Sequence, residues 1–236
     1  MEKFIISFTI LFFCSIAFAQ NYNVYKNSDY NAESFNDEKI LFILDYSSSM
    51  DEYLEDCTKY GTMLKTMERI LPKISKDKET GLRIYGHKTG LTAMNACRAS
   101  SLVVPVMPAS ANRIKNELYK YKPRGMTPIT YSLKQAVSKD LAGIKGDKRI
   151  ILLTDGGENC DESPCQWAMN LISTRKDIKI DVIAFNMDDD DDLDQLKCTS
   201  SVTSGKFYNP QTSAELIRSL EDSLNIEKEV EGIIIR

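Results

Sequence analysis

Lys39 to Leu44 reads KILFIL and runs directly into Asp45-Tyr46-Ser47-Ser48-Ser49. A short apolar run without polar alternation is what a strand covered on both faces requires. Arg149 to Leu153 (RIILL) and Ile178 to Phe185 (IKIDVIAF) have the same character. Shorter strands are expected at Leu82 to Tyr85, Ser101 to Val106 and Phe207-Tyr208. The stretches between them carry helical spacing. Residues 52–74 place Tyr60, Met63, Leu64, Met67, Ile70, Leu71 and Ile74 on one stripe, and further helices are predicted over 110–121, 128–141, 165–175, 193–203 and 212–224. Strands and helices in alternation, with central strands apolar on both sides, imply a mainly parallel sheet sandwiched by helices. In such open sheets ligands bind beyond the carboxyl ends of the strands, which directs attention to the residues just after each run.

Outside that alternation the chain is of a different kind. Residues 1–19 read as a signal peptide: Lys3, then the apolar Phe4 to Ile16, then the small-x-small pattern of Ala17-Phe18-Ala19. The apolar part is short for a membrane span, which takes about 20 residues, so no span is expected after cleavage. Residues 20–38, rich in Asn, Asp, Ser and Tyr, read as a flexible lead-in. The segment 39–225 is the domain, and 226–236 a tail whose Gly232-Ile233-Ile234-Ile235 could form an extra edge strand. A formal charge of −4 provides no basic face for nucleic acid.

The carboxyl end of the first strand supplies Asp45, Ser47 and Ser49, three oxygen-bearing side chains at alternate positions. Such a DxSxS string arises by chance in about one sequence in twenty of this length, and a serine-rich turn with capping hydroxyls explains it equally well. Two other stretches add weight. Asp155 follows RIILL and Thr154 and leads into Gly156-Gly157, while Thr127 stands in Arg124-Gly125-Met126-Thr127-Pro128 ahead of a helical stripe. Thr before Pro is also ordinary helix-start grammar, with Thr as the N-cap.

With these pieces together, the chain resembles the von Willebrand factor A (vWA) domains, also called integrin I domains, and their metal-ion-dependent adhesion site (MIDAS). The likeness covers residues 39 to about 225. It extends to a group of exported bacterial vWA proteins through Tyr85-Gly86-His87, the Leu102-Val103-Val104-Pro105 strand, the GMTP of residues 125–128, TDGGENC and DESPC around Asp155, and Leu196-Lys197-Cys198. Tyr46 departs from the small residue the family often carries there. The resemblance implies a Rossmann-like three-layer sandwich of about six strands, one of them an antiparallel edge strand. It also implies a divalent cation, Mg²⁺ or alternatively Mn²⁺ or Ca²⁺, held by Asp45, Ser47, Ser49, Thr127 and Asp155. Ser47 and Ser49 would bind it directly and Thr127 directly or through water. Asp45 and Asp155 would act mainly through hydrogen bonds and bridging waters. Mg²⁺ takes six oxygens and gives up water reluctantly. An ion whose direct protein ligands are neutral hydroxyls keeps most of its charge, so an Asp or Glu carboxylate of a protein partner can complete its shell.

The expected function is therefore adhesion or envelope protein–protein interaction by an exported protein, periplasmic or secreted, of a bacterium. The alternative is a structural scaffold in an envelope assembly with a non-exchanging metal site. An enzyme fits less well: a serine hydrolase would show GxSxG and a base, a nucleotide binder GxGxxG or a P-loop, and an aspartate phosphatase a carboxylate where Ser47 stands. A zinc site would want paired Cys or His ligands, and no CxxC pair accompanies the lone His87, which reads as a structural loop residue. Cys57, Cys97, Cys160, Cys165 and Cys198 all fall on the predicted metal-bearing edge. A Cys57–Cys97 bridge is expected on one side and, on the other, two of the remaining three, with Cys160–Cys165 the first choice. Spacing alone leaves connectivity open. The acidic run Asp188 to Asp192, with Asp194, reads as a solvated loop leading into a helix N-terminus, or alternatively as a second, weaker Ca²⁺ site.

Overall fold

The computed structural model describes residues 38–226. The signal peptide, nearly all of the lead-in and the tail strand at Ile233 to Ile235 lie outside the described residues. Eight strands, β1 (Lys39–Asp45), β2 (Tyr53–Leu54), β3 (Cys57–Thr58), β4 (Glu79–Tyr85), β5 (Ser100–Pro108), β6 (Lys148–Thr154), β7 (Ile178–Ala184) and β8 (Phe207–Tyr208), are interleaved with seven α-helices. These are α1 (Lys59–Ile70), α2 (Ala93–Ala96), α3 (Ala111–Leu118), α4 (Ile129–Gln135), α5 (Pro164–Leu171), α6 (Asp190–Val202) and α7 (Ser213–Ser223). The main sheet has six strands in the order β5-β4-β1-β6-β7-β8. All its pairings are parallel except β4 with β5, so β5 is the antiparallel edge strand.

The unbroken apolar character of β1 follows from its central place. Ile40, Phe42 and Leu44 join one core with α1, α3 and α7, through residues such as Met63, Met67, Leu118 and Leu220. Leu41 and Ile43 join the other, with Leu133 and Val137 from the α4 region, Leu171 of α5 and Leu196 of α6. Each β1 side chain from Ile40 to Leu44 is wholly shielded from water. Burying five such residues contributes on the order of 1.5–3 kcal/mol apiece, so neither face tolerates polar alternation.

Two helices differ from the sequence expectation. Residues 52–74 do not form one helix: Tyr53–Leu54 and Cys57–Thr58 pair as a small antiparallel hairpin, and α1 starts only at Lys59. The apolar stripe begins at Tyr60, and the Thr58 side chain caps α1 by accepting from Gly61 N at 3.0 Å, which sets the helix start. The segment 128–141 begins as α4 and ends in a π-turn, Ala136–Asp140. Thr127 is not the N-cap; Pro128 holds that position without a side-chain cap bond. The acidic run does enter a helix N-terminus: Asp189 caps α6, accepting from Asp192 N at 3.0 Å.

Candidate functional site

The chain builds β1, β4 and β5 on one side, then crosses back to place β6 on the other flank of β1. Beyond the carboxyl ends of β1 and β6 the outgoing loops therefore diverge, the position at which ligands bind in open sheets of this kind. Asp45 is the last residue of β1, and Asp155 follows the last residue of β6.

Asp45 is fully buried and held by three donors. Ser47 N donates to Oδ1 at 2.6 Å; the Tyr85 and Thr154 hydroxyls donate to Oδ2 at 3.0 and 2.8 Å. Ser47 and Ser49 stand with their hydroxyl oxygens 3.1 Å apart, and the Ser49 hydroxyl donates to Asp155 Oδ1 at 2.7 Å. The other oxygen of Asp155, Oδ2, is buried and accepts no hydrogen bond of acceptable geometry. Its near neighbour is the Lys59 ammonium, 3.1 Å away, which also pairs with Glu52 at 3.0 Å.

Thr127 is brought to the same edge by backbone. Ser47 and Gly125 form an isolated parallel bridge, Ser48 N donates to Gly125 O at 3.0 Å, and Thr127 lies two residues further along, buried. Asn159, in the loop after Asp155, accepts from Thr127 N at 2.7 Å and fixes the Thr127 backbone. Glu158 accepts from Thr130 N at 2.6 Å and so supplies the negative end-group that the α4 N-terminus lacks from Thr127.

Close approach at two glycines makes this assembly possible. Gly86 adopts φ +71°, and a Cβ there would sit 2.5 Å from Ser47 N. At Gly157 a Cβ would run into the Asp192 carboxyl group, so the last aspartate of the acidic run packs on the loop that carries Asp155. Tyr46 fits because its ring is buried between Tyr60 and Tyr121, while its hydroxyl donates to Leu118 O at 2.8 Å.

The electrostatics are those of two acids sharing a water-poor corner. Burial, followed by the charge of Asp155, pushes the Asp45 carboxyl up to about 7. Burial also raises Asp155 despite the opposing pull of Ser49 and Lys59. For Lys59 burial works against the charge, but Asp155 and Glu52 outweigh it and hold the ammonium above its usual value. The donor set is all oxygen, it carries two carboxylates, and one buried carboxylate oxygen lacks a hydrogen bond. That combination fits a hard divalent cation.

The structure thus joins Asp45, Ser47, Ser49 and Asp155 in one hydrogen-bonded group and sets Thr127 on the same edge through Gly125 and Asn159. Sequence reasoning did not single out Tyr85, Thr154, Lys59, Asn159 or Glu158. Tyr85 and Thr154 had a visible signal, since each closes a strand whose neighbour ends at Asp45.

The disulfide expectation is met in part: one bridge does join two of Cys160, Cys165 and Cys198, though not the first-choice Cys160–Cys165 pair, and Cys57–Cys97 does not form. Cys97 pairs with Cys160 and Cys165 with Cys198, while Cys57 is free. Cys57 lies in the β2–β3 hairpin and faces Thr62 and Lys65 of α1, away from Cys97. Cys160 is turned from Cys165 because Glu158 ties its backbone N–H toward α4, whereas Cys165 rides on α5 against α6, the helix of Cys198. The Cys97–Cys160 bridge joins the loop after β4 to the loop carrying Asn159. Among the described residues no group of three or more His, Cys, Asp or Glu side chains is placed to hold a metal.

An open, mostly parallel sheet covered by helices, with hydroxyls and carboxylates gathered at its switch point, defines a three-layer α/β sandwich with a candidate binding site there. Residues 39–223 match the von Willebrand factor type A domain model, and the chain belongs to that family. It is similar to the uncharacterized protein YwmC of Bacillus subtilis strain 168, 24% identical over 181 residues, covering 75% of this chain and 78% of that protein. Among solved structures, proximal thread matrix protein 1 from the mussel byssus, in a form with a zinc-occupied MIDAS motif, matches with a TM-score of 0.61 at 20% identity, over 79% of this chain and 44% of that one. The vWF domain of the type V pili tip protein Mfa5 from Porphyromonas gingivalis matches with a TM-score of 0.57 at 13% identity, over 81% of this chain and 96% of that one. At these identities the structures speak to the fold alone. Among the described residues no helix is long and apolar enough to cross a membrane.

Proposed function

We propose that this chain is an exported, non-catalytic binding module that holds a divalent cation, Mg²⁺ in the first instance, and engages an Asp or Glu carboxylate of a protein partner through it. Ser47, Ser49 and Thr127 supply neutral hydroxyls, and Asp45 and Asp155 orient them and offset the charge. The observation that carries this reading is the convergence of the Ser47 and Ser49 hydroxyls and the Asp155 carboxylate in one hydrogen-bonded group beside buried Asp45. Two buried carboxylates with one ammonium beside them leave negative charge that costs free energy in a water-poor corner, and a divalent cation would offset it. The known vWA members with a zinc-occupied MIDAS or at a pilus tip lend support. Two disulfides fit an oxidising compartment outside the cytoplasm, as does the signal-like N-terminus.

Isothermal titration with Mg²⁺ and Mn²⁺ tests the cation. Wild type is expected to bind with a stoichiometry of about one and Asp45→Ala not at all; identical responses from the two proteins reject the reading. Capture of partners from the native cell surface, with and without EDTA, tests the second half. A partner retained equally in EDTA would instead favour a scaffold role.

A further inference from the structure

Lys59 is an unusual residue for its place. It opens α1, where the helix dipole favours acids over bases, and its side chain is only 9% exposed. Nothing about helix formation calls for a lysine there. Two features steer the ammonium inward: the β2–β3 hairpin delays the start of the helix, and Lys59 N donates to Glu52 O at 2.9 Å. The ammonium ends 3.1 Å from Asp155 Oδ2 and 3.0 Å from Glu52 Oε2. Asp155 Oδ2 is the same oxygen that lacks a hydrogen bond, and the Asp155 side chain is wholly shielded from water. A permanent positive charge therefore touches one of the two carboxylates of the cation site, in a corner where charges are weakly screened.

Resting on the cation-site reading above, we propose that Lys59 is the affinity-setting residue of that site, a built-in positive charge that weakens the hold on the divalent ion and keeps the ion exchangeable. Like charges repel more strongly the further they are from bulk water, so the ammonium subtracts from the attraction that Asp45 and Asp155 exert. It also leaves the bound ion less neutralised, which strengthens its pull on a partner's carboxylate. Glu52 modulates this from the rim: its side chain is 65% exposed and shares the ammonium. A merely structural lysine makes the opposite forecast. If Lys59 served only to orient Asp155, removing it would loosen the site and weaken cation binding.

The test is titration of MgCl₂ and MnCl₂ into the full disulfide-bonded chain, comparing wild type with Lys59→Met, Lys59→Arg and Glu52→Gln. Melting in EDTA is recorded for each, and Lys59→Gln stands in should the methionine disturb packing. Lys59→Met is expected to bind Mg²⁺ about tenfold more tightly, equivalent to about 1.4 kcal/mol, and to melt lower than wild type in EDTA because Asp155 loses its counter-charge. Lys59→Arg should stay within about twofold of wild type. Glu52→Gln, at an exposed position where folding is not at risk, should weaken binding by about threefold. Unchanged or weaker binding in a folded Lys59→Met or Lys59→Gln protein overturns the proposal while leaving the cation site intact. Absence of binding by wild type removes the cation-site reading and this inference together.

Discussion

Two buried carboxylate groups in this molecule have similar burial and opposite character. Asp140 meets Arg83 in a two-pronged pair, Nε to Oδ2 at 2.6 Å and Nη2 to Oδ1 at 2.8 Å, and the remaining guanidinium arm donates to Ser100 Oγ at 2.8 Å. The side chains are 5% and 3% exposed, and each carboxylate oxygen has its own donor. At the carboxyl ends of β1 and β6, by contrast, Asp155 pairs with a single ammonium that Glu52 also claims, its Oδ2 has no hydrogen bond, and Asp45 is held by neutral donors. Burial alone does not tell the two apart. Completeness of partners does: a closed set of charges holds the fold together, and an open one is ready for something else.

Breaking the closed set should have the largest effect. Arg83→Met strands the Asp140 carboxylate in a shielded position, and removal of one member of a buried pair costs about 3–5 kcal/mol. Urea denaturation should show that loss to the same extent with Mg²⁺ and with EDTA. A loss below about 1 kcal/mol would show that the two-pronged pair is not the structural element it is taken to be here.

The disulfides carry the comparison to the loops. Cys97–Cys160 spans 63 residues and Cys165–Cys198 spans 33, and removing either as a Cys→Ser pair should cost about 2–4 kcal/mol. Their effects on the site should differ. Without Cys97–Cys160 the loop bearing Asn159 loses its tether, and with it the fixed backbone of Thr127; Mg²⁺ affinity should fall by several-fold. Cys165–Cys198 joins two helices on the α5–α6 side and should leave affinity unchanged. Titration of both double variants decides it, and equal losses of affinity would mean that the Asn159 loop is not a separate control point.

At the open set the effect on stability should be small and the effect on binding complete. Asp45→Asn keeps one oxygen for Tyr85 and Thr154, and it removes a charge that burial disfavours. Its amide nitrogen then meets the Ser47 N–H, a buried donor left without an acceptor, so in EDTA it should cost about 1–2 kcal/mol, less than Arg83→Met. Wild type, in contrast, should gain about 2.7 kcal/mol at a Mg²⁺ concentration a hundred times Kd, a gain that Asp45→Asn forfeits. Chemical denaturation with and without Mg²⁺ reads both numbers. A large Asp45→Asn loss in EDTA would make Asp45 a fold residue like Asp140.

How much of this could be read in the sequence follows the same division. The sheet was legible because β1, β6 and β7 are apolar on both faces, a pattern that local composition carries in full. Asp45, Ser47, Ser49 and Asp155 were legible because each lies within a few residues of such a run. Their open charge balance was not, since it depends on Lys59, fourteen residues after Asp45 and turned inward by a hairpin that breaks no strong local rule. A bridge among Cys160, Cys165 and Cys198 was legible, but the pairing itself was not, for a related reason. Cys160 and Cys165 are neighbours in sequence, but the Glu158 bonds to Thr130 N and Cys160 N direct the loop toward α4 before α5 begins, and no spacing rule encodes that turn. The Arg83–Asp140 pair was equally hidden, being 57 residues apart.

His87 offers the finest test, because it too has an orphaned buried atom on this edge. Its Nδ1 has no hydrogen-bond partner, Nε2 lies 3.1 Å from Ser101 Oγ, and the ring packs edge-on against Tyr121. Burial, then the neighbouring Lys88 charge, lowers its pKa from 6.5 to about 4, so the ring stays neutral and its bare nitrogen asks for no ion. Below about pH 6.5 the unfolded chain takes up a proton that the folded chain refuses until about pH 4. Stability contributed by neutral His87 is therefore present above pH 6.5 and lost as pH falls through that window, by roughly 2 kcal/mol between pH 7 and 5. Asp45, raised to about 7, works in the opposite sense over the same range, so only the difference between wild type and His87→Gln isolates the histidine. Urea melts in EDTA at pH 7 and pH 5 should show the variant losing less than wild type on acidification, with Mg²⁺ affinity at pH 7 the same in both. A variant that lost its Mg²⁺ response would mean that orphaned atoms on this edge serve the ion whatever their charge, and partner completeness would no longer separate site from scaffold.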